Sequence, residues 1–188
     1  MKKLLRLLLG WLFSLDIRHE DRLKFTGPSI IMPNHVSFLD PIFLYLILPE
    51  TACFVVNSAI AKNPLVRVGL RFCRHIEMDM WKPYSLRSVM SVVNSGGPVV
   101  LFPEGRITTT GRLMKIYAGV ALVAAKTQAQ IFPVILLGPE FSKFSRMKGK
   151  LRTRWLPKVQ ILVGDSCHLA VGQGVGFREQ RRILADRL

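Results

Sequence analysis

Acidic residues are scarce in this 188-residue chain: twelve Asp and Glu stand against 27 Lys and Arg, a net charge of +15. Such a surplus of cations implies a polyanionic neighbour, which is nucleic acid, an anionic lipid surface or an acidic protein. No RNP, zinc-finger or basic-zipper pattern is present, so nucleic acid is the least favoured of the three and is not an expected partner. Cysteine is scarce too. Cys53, Cys73 and Cys167 are odd in number, widely spaced and without a CxxC pair, which supports neither a disulfide framework nor a cysteine-rich metal site. They read as small buried hydrophobes in a reducing compartment. No second histidine stands at metal-ligand spacing from His35, since His19, His75 and His168 are scattered; no metal is expected. No GxSxG elbow exists, so a nucleophilic serine is not indicated. The GQGVG run at 172–176 lacks the spacing of a dinucleotide or P-loop motif and reads as a flexible linker. There is no internal repeat and no low-complexity segment.

A membrane-spanning apolar run is also lacking. The N-terminal stretch 4–15 is interrupted by Arg6, and as a helix it would reach roughly 18 Å, short of the hydrocarbon core of about 30 Å. No small-x-small cleavage site follows it, which argues against a signal peptide. The stretch therefore reads as an amphipathic helix lying in a membrane interface, with Lys2, Lys3 and Arg6 toward headgroups and Trp11 at the boundary. A helix buried against the domain is the alternative.

What remains is an apolar, alternating chain. Hydrophobic residues make up 49% of it, which excludes disorder, and the length suits one domain with a real core. Strands are expected at 29–32 (SIIM), 52–56 (ACFVV), 75–78, 98–102 (PVVLF), 131–137 (IFPVILL) and 159–163. Helices are expected at 41–48, 65–74, 84–94 and 115–126. Pro133 argues that its strand is an edge or carries a bulge. The alternation gives an α/β class: a single layered domain with a mixed, largely parallel sheet covered by helices, plus the N-terminal membrane-associated helix. The expected division is 1–24 for the interfacial helix and connector, 25–170 for the main domain, and 171–188 for a linker and C-terminal helix leading into a longer parent chain. Residues 143–158 hold Lys143, Arg146, Lys148, Lys150, Arg152, Arg154 and Lys158 without one acid, interleaved with Phe144, Met147, Leu151 and Trp155. This run is either a solvated loop or a membrane- or carrier-facing patch, where each cation can add about 1 kcal/mol.

Two stretches carry chemistry. In NHVSFLD (34–40), Asp40 before Pro41 is a helix-start signal that explains the carboxylate by itself. His35, in the turn leaving a buried strand, stands where α/β folds place their sites. Folded back, the turn would let Asp40 accept the proton of one ring nitrogen and leave the other basic, a general base oriented by an acid. In LFPEGRITTTGRLMK (101–115), a second loop leaves a strand end. Glu104 is a candidate to bind a hydroxyl or amine, Gly105 allows close backbone approach, and Arg106, Arg112 and Lys115 suit a phosphate. Alone, such a PxG turn is also a common loop.

Together, NHVSFLD resembles the NHxxxxD signature, FPEG the second signature, and IFPV (131–134) the later proline-valine motif of the glycerolipid acyltransferase superfamily, which includes the PlsC-like 1-acylglycerol-3-phosphate O-acyltransferases. The resemblance covers essentially the whole chain. Within it, the run FPEGRITTTG…LMKIY…FSRMKG looks most like the N-terminal acyltransferase domain of bifunctional bacterial 2-acylglycerophosphoethanolamine acyltransferase/acyl–acyl-carrier-protein synthetases. The resemblance implies a transfer of a fatty acyl group from acyl carrier protein or coenzyme A thioester to a lysophospholipid hydroxyl, with no cofactor and no covalent acyl-enzyme. It implies His35 as base and Asp40 as its partner. Asn34, Glu104, Gly105 and Arg106 would shape the acceptor site, and Lys115 would precede a helix glycine, here Gly119. It also implies peripheral or monotopic attachment at the cytoplasmic face of a bacterial inner membrane, among membrane lipids.

Two departures from the family pattern concern the headgroup. Arg106 follows Gly105 directly, with Ile107 in the usual arginine slot, and GLRFCRH (69–75) has His75 where an arginine is expected, beside Arg74. They point to a phosphodiester lysolipid such as lysophosphatidylethanolamine over lysophosphatidate, which stays the alternative. A hydrolase and a non-catalytic lipid-surface module are more distant readings.

Overall fold

The run SIIMP is buried at every position, as a strand covered on both faces must be. The computed structural model that shows this describes residues 2–79, 83–111, 114–147 and 149–168, with Glu179 and Arg182. The expected linker and C-terminal helix at 171–188 lie outside the described residues except for that last pair, and Arg112 and Lys148 lie outside them too.

Helix α1 (Lys2–Leu12) leads to strand β1 (Asp16–Arg18) and a 3-10 turn (Glu20–Arg22). There follow β2 (Ser29–Pro33), α2 (Asp40–Ile47), β3 (Cys53–Asn57), α3 (Ser58–Ala61), α4 (Pro64–Leu70) and β4 (Arg74–Met78). Then come α5 (Pro83–Asn94), β5 (Pro98–Val100), α6 (Ala118–Thr127), β6 (Gln130–Leu137), β7 (Gln160–Val163) and β8 (Cys167–His168). The sheet runs β1-β7-β6-β2-β5-β3-β4, with β8 on β6. Strands β6, β2, β5, β3 and β4 are parallel to one another, while β7 and β8 run against β6. The sheet is mixed and largely parallel, and the fold class is α/β as expected.

Side chains alternate along each strand and so feed two cores. Ile31, Val100, Phe132 and Ile161 face α1 and α2, where Phe43, Leu44 and Leu46 close the layer. Ile30, Met32, Val99 and Ile131 face α5 and α6, meeting Val89, Val93, Val120 and Val123. Each large side chain sealed in this way contributes roughly 1.5–3 kcal/mol. Helices α5 and α6 approach closely at Gly119, where an added Cβ would come within 3.2 Å of Leu86.

Several expectations need correction. Pro133 is not on an edge, since β6 lies between β2 and β7, but it does stand at a bulge: Ile131 pairs with Cys167 and Val134 with Val163, so two residues of β6 face three of the antiparallel partner. Its carbonyl bonds to Gly164 N–H at 2.9 Å on the side where β8 has ended and β7 has yet to begin, so the missing N–H deprives no ladder of a bond. Helix α6 begins at Ala118, leaving Lys115 in the preceding loop. The helix expected over 65–74 stops at Leu70, and β1 and β8 are too short to show a pattern in sequence. Asp40 is the first residue of α2, with Leu39 at its N-cap, and the carboxylate caps nothing in its own helix.

Helix α1 is apolar on two sides. Leu5, Leu9 and Leu12 pack on the core, while Leu4, Leu7, Leu8 and Trp11 project outward, Trp11 at 79% exposure. Of its cations, Lys3 is exposed and Arg6 keeps 40% of its side chain open. Lys2 donates to the Leu48 carbonyl beside the Tyr45 ring, and burial holds its ammonium below the usual lysine range. Arg6 grips Glu20 through two bonds of 2.7 and 2.6 Å. No helix among the described residues is long and apolar enough to cross a membrane.

Candidate active site

Strands β2 and β5 are neighbours, so the loops leaving their carboxyl ends meet. The first loop folds back on the start of α2. There Asp40, 0% exposed, accepts through Oδ2 from the ring Nδ1 of His35 at 2.9 Å and from the backbone N–H groups of Val36 at 2.6 Å and Ser37 at 2.8 Å. Its Oδ1 is buried without a hydrogen-bond partner among the described residues. Burial pushes the Asp40 carboxyl above its ordinary value, against the pull of the His35 ring and the two N–H groups. The carboxylate therefore shapes the turn and orients the imidazole in one stroke. With Nδ1 committed, Nε2 is the nitrogen left to meet a reactant, and the ring side chain keeps 16% of its surface open.

The second loop clamps the same residue. Glu104, 1% exposed, accepts the His35 backbone N–H at 3.0 Å on Oε1 and the Met114 N–H at 3.0 Å on Oε2. Thr108 N–H donates to the His35 carbonyl at 2.8 Å. Phe102 stacks on the imidazole, centroids 4.0 Å apart and planes at 26°. Both backbone groups and one ring face of His35 are thus fixed by the FPEG loop, which turns at Gly105 with φ of 61°.

The sequence-derived residues divide accordingly. His35 and Asp40 come together as expected. Asn34 binds the backbone of β6. Its Nδ2 donates to the Leu136 carbonyl at 3.0 Å and its Oδ1 accepts the Leu136 N–H at 2.7 Å, so the amide extends the β2–β6 ladder one step beyond Pro33. Glu104 is likewise a tie between two loops, its oxygens holding the His35 and Met114 N–H groups. Arg106 and Lys115 are exposed on the clamping loop, Arg106 midway between Glu104 and Thr108 and Lys115 next to Met114. Ile107, in the slot where arginine was expected, is buried. Arg74 and His75 are placed elsewhere: they open β4, three strands from β2, roughly 14 Å across the sheet. They sit level with Cys53 and Phe54, toward the opposite ends of the strands.

Sequence reasoning missed Phe102 and Thr108 as contacts of His35, and it missed Ser37, whose buried Oγ lies 3.0 Å from that of Ser142. Adjacency to FPEG was the only signal for the first two. The serine pair has no signal, since it joins residues more than a hundred positions apart.

A family model described as Acyltransferase matches residues 14–137, well over half of the chain and inclusive of both loops. The chain belongs to the acyltransferase family. Among the similar curated proteins, the chloroplast 1-acyl-sn-glycerol-3-phosphate acyltransferase of Arabidopsis thaliana is 30% identical over 59% of this chain and 32% of its own length. The human 1-acyl-sn-glycerol-3-phosphate acyltransferase beta is 27% identical over 78% of this chain and 54% of its own. The chain thus spans about a third to a half of the length of these curated relatives. The crystal structure of the 1-acyl-sn-glycerophosphate acyltransferase PlsC from Thermotoga maritima shares the fold, with a TM-score of 0.74 at 20% identity, covering 98% of this chain and 73% of that one.

Proposed function

We propose that this acyltransferase-family domain moves a fatty acyl group from a thioester to the free hydroxyl of a lysophospholipid, with 1-acylglycerol-3-phosphate as the favoured acceptor. The observation that carries the reaction is the His35 Nδ1–Asp40 Oδ2 contact of 2.9 Å, which leaves Nε2 as the base. Nε2 takes the acceptor hydroxyl proton as that oxygen attacks the thioester carbonyl. The new C–O bond forms, the C–S bond breaks as the tetrahedral intermediate collapses, and the proton passes from Nε2 to the departing thiolate. No enzyme nucleophile is needed.

Two observations support the phosphate monoester over the phosphodiester that the sequence departures suggested. The named relatives act on 1-acyl-sn-glycerol-3-phosphate. In addition, Arg106 faces solvent beside the His35 clamp while Ile107 is buried, so the one-residue shift keeps a cation on the loop. Lysophosphatidylethanolamine is the second reading, favoured by the likeness of the FPEGRITTTG run to the bifunctional enzymes. The donor is a thioester of acyl carrier protein or coenzyme A, both acidic carriers suited to a basic surface. Attachment is peripheral, through the outer apolar stripe of α1, at the cytoplasmic face of a bacterial inner membrane.

The test supplies each labelled donor to the purified chain with lysophosphatidate and lysophosphatidylethanolamine, and identifies products by mass. Phosphatidate as the main product supports the reading. Preference for the ethanolamine lipid replaces the acceptor, and labelled free fatty acid without lipid product replaces the transferase with a hydrolase.

A further inference from the structure

The loop over 138–158 crosses the top of the dyad. It leaves β6 at Gly138, whose φ of 106° is open to glycine, and an added Cβ there would lie 1.9 Å from the carbonyl of Lys158. The two ends of the loop are therefore pinched together. Its interior is ordered by Arg154 N–H to the Phe141 carbonyl at 2.7 Å and Lys143 N–H to the Arg154 carbonyl at 3.2 Å.

The inner side of this loop is mostly small or apolar, with the half-buried Glu140 accepting the Gly138 N–H at 2.7 Å and lying within reach of the Asp40 charge. Ser142, Ser145 and Met147 are buried; Ser142 meets Ser37, Ser145 bridges to Ser37, and the Phe144 carbonyl accepts Phe38 N–H at 3.1 Å. Lys150 Nζ reaches the Thr109 carbonyl at 2.7 Å. The loop is thus fastened to both catalytic loops at once, and its outer side is continuous with Phe38, a residue of the His35 turn.

That outer side pairs cations with bare aromatic rings. Phe141, Phe144, Trp155 and Leu156 are exposed beside exposed Lys143, Arg146, Arg152 and Arg154, and no acid lies between residues 141 and 158. Lys143 Nζ stands 4.1 Å over the Trp155 ring, and the Arg146 guanidinium 5.9 Å over Phe38. Contiguous exposed apolar groups of this size mark a contact surface. Rings with cations reaching past them suit the headgroup level of an anionic bilayer, where aromatic bodies enter the interface and charges remain with the phosphates. A purely electrostatic site for an acidic protein would have no use for so many bare large apolar side chains. The surface also continues into α1: the loop's return at Val159 donates to the Phe13 carbonyl at 3.0 Å and accepts Asp16 N–H at 2.9 Å, just past the helix that carries Trp11 outward.

We propose that the 138–158 loop is a second membrane-contact element, which with α1 seats the mouth of the His35 site against an anionic lipid surface. This rests on the reading that the acceptor is a membrane lysolipid. In that seating the acceptor hydroxyl reaches Nε2 from the bilayer side.

The experiment measures partition of the full chain onto vesicles of phosphatidylcholine with and without phosphatidylglycerol. The variant K143Q/R146Q/R152Q is expected to lose about a hundredfold on anionic vesicles, at about fivefold per cation. The variant F144S/W155S is expected to lose partition on both compositions. All five positions are exposed, so the fold is preserved, and turnover of a short-chain lysolipid held below its critical micelle concentration is expected to stay as in wild type. Unchanged partition of both variants overturns the proposal. So does a selective rise in KM for the acyl carrier protein thioester without loss of partition, which would make the surface a docking site for an acidic protein. Loss of monomer turnover in the charge variant would place these cations in the reaction and also overturn it. Failure of the wild-type chain to turn over the monomeric lysolipid sinks the acyl-transfer reading while leaving the vesicle measurement to stand by itself.

Discussion

Asp40 and Glu104 follow neighbouring parallel strands, β2 and β5, and both are sealed from solvent, yet their oxygens are engaged differently. Asp40 gathers three donors on Oδ2, one of them the His35 ring, and leaves Oδ1 bare. Glu104 gives one oxygen to the His35 N–H and the other to the Met114 N–H. The first carboxylate bonds to the imidazole ring itself. The second joins two stretches of backbone. Two buried acids in motifs of similar prominence therefore have different tasks, and the partner of each oxygen tells them apart.

Substitutions can break this contrast or sharpen it. His35→Ala is expected to lower kcat by at least about 100-fold, the low end of general-base catalysis, with an unchanged circular dichroism spectrum. Turnover close to wild type would remove the imidazole from the mechanism. Asp40→Asn keeps a carbonyl oxygen for the Val36 and Ser37 N–H groups but withdraws the charge facing the imidazolium. The expected kcat loss is about 10–100-fold, part of the same general-base contribution, with a modest fall in Tm. Asp40→Ala would add a clear loss of stability, because two buried N–H groups lose their acceptor. Glu104→Gln is expected to act in the reverse proportion. One N–H would face an amide NH2, destabilising the fold by about 1–3 kcal/mol, while kcat for the folded fraction stays within about tenfold of wild type. Should Glu104→Gln abolish turnover without moving Tm, Glu104 would belong with the dyad and the contrast would fail.

Smaller effects refine the picture. Phe102→Leu removes the ring stacked on His35, an interaction of about 0.5–1.5 kcal/mol, and should reduce kcat/KM by no more than about tenfold. The pH dependence of stability is the finest test. Because burial raises the folded-state pKa of Asp40, the folded protein binds that proton more tightly than the unfolded chain does. Its contribution to stability is full below the unfolded value of about 3.9 and is lost as pH rises through the folded value. Melting curves should therefore show the Asp40→Asn deficit shrinking as pH rises above about 4. A deficit that widens would mean that the three donors outweigh burial.

Much of the fold could be read from the residues. Continuous apolar runs such as SIIM and PVVLF reported strands buried on both faces, and the 3.6-residue spacing of Leu86, Val89, Met90 and Val93 reported α5. Pro133 announced an edge or a bulge, and only the register of β7 and β8 against β6 shows that it is the bulge. Asp40 before Pro41 looked like a helix cap, but the turn folded its carboxylate toward His35, a rotation that no local propensity encodes. Asn34 and Glu104 were readable as motif residues and unreadable as ties, since their partners Leu136 and Met114 meet them only after strands pair and loops close. Arg74 and His75, next to each other in sequence and part of a motif-like string, were carried by strand order to the far side of the sheet from the dyad.

By itself, the sequence determined the class of the domain, its basic character, and the identity of an imidazole and a carboxylate five residues apart. Periodicity, composition and short-range spacing are properties of neighbouring residues, so they survive in the linear chain. Tertiary structure alone decided which nitrogen of His35 is free, that Glu104 is a clamp, and that the basic run at 138–158 lies over the dyad and not at a remote surface. Those facts depend on contacts between segments as much as a hundred or more residues apart, and such contacts exist only when the sheet has set its strand order and register.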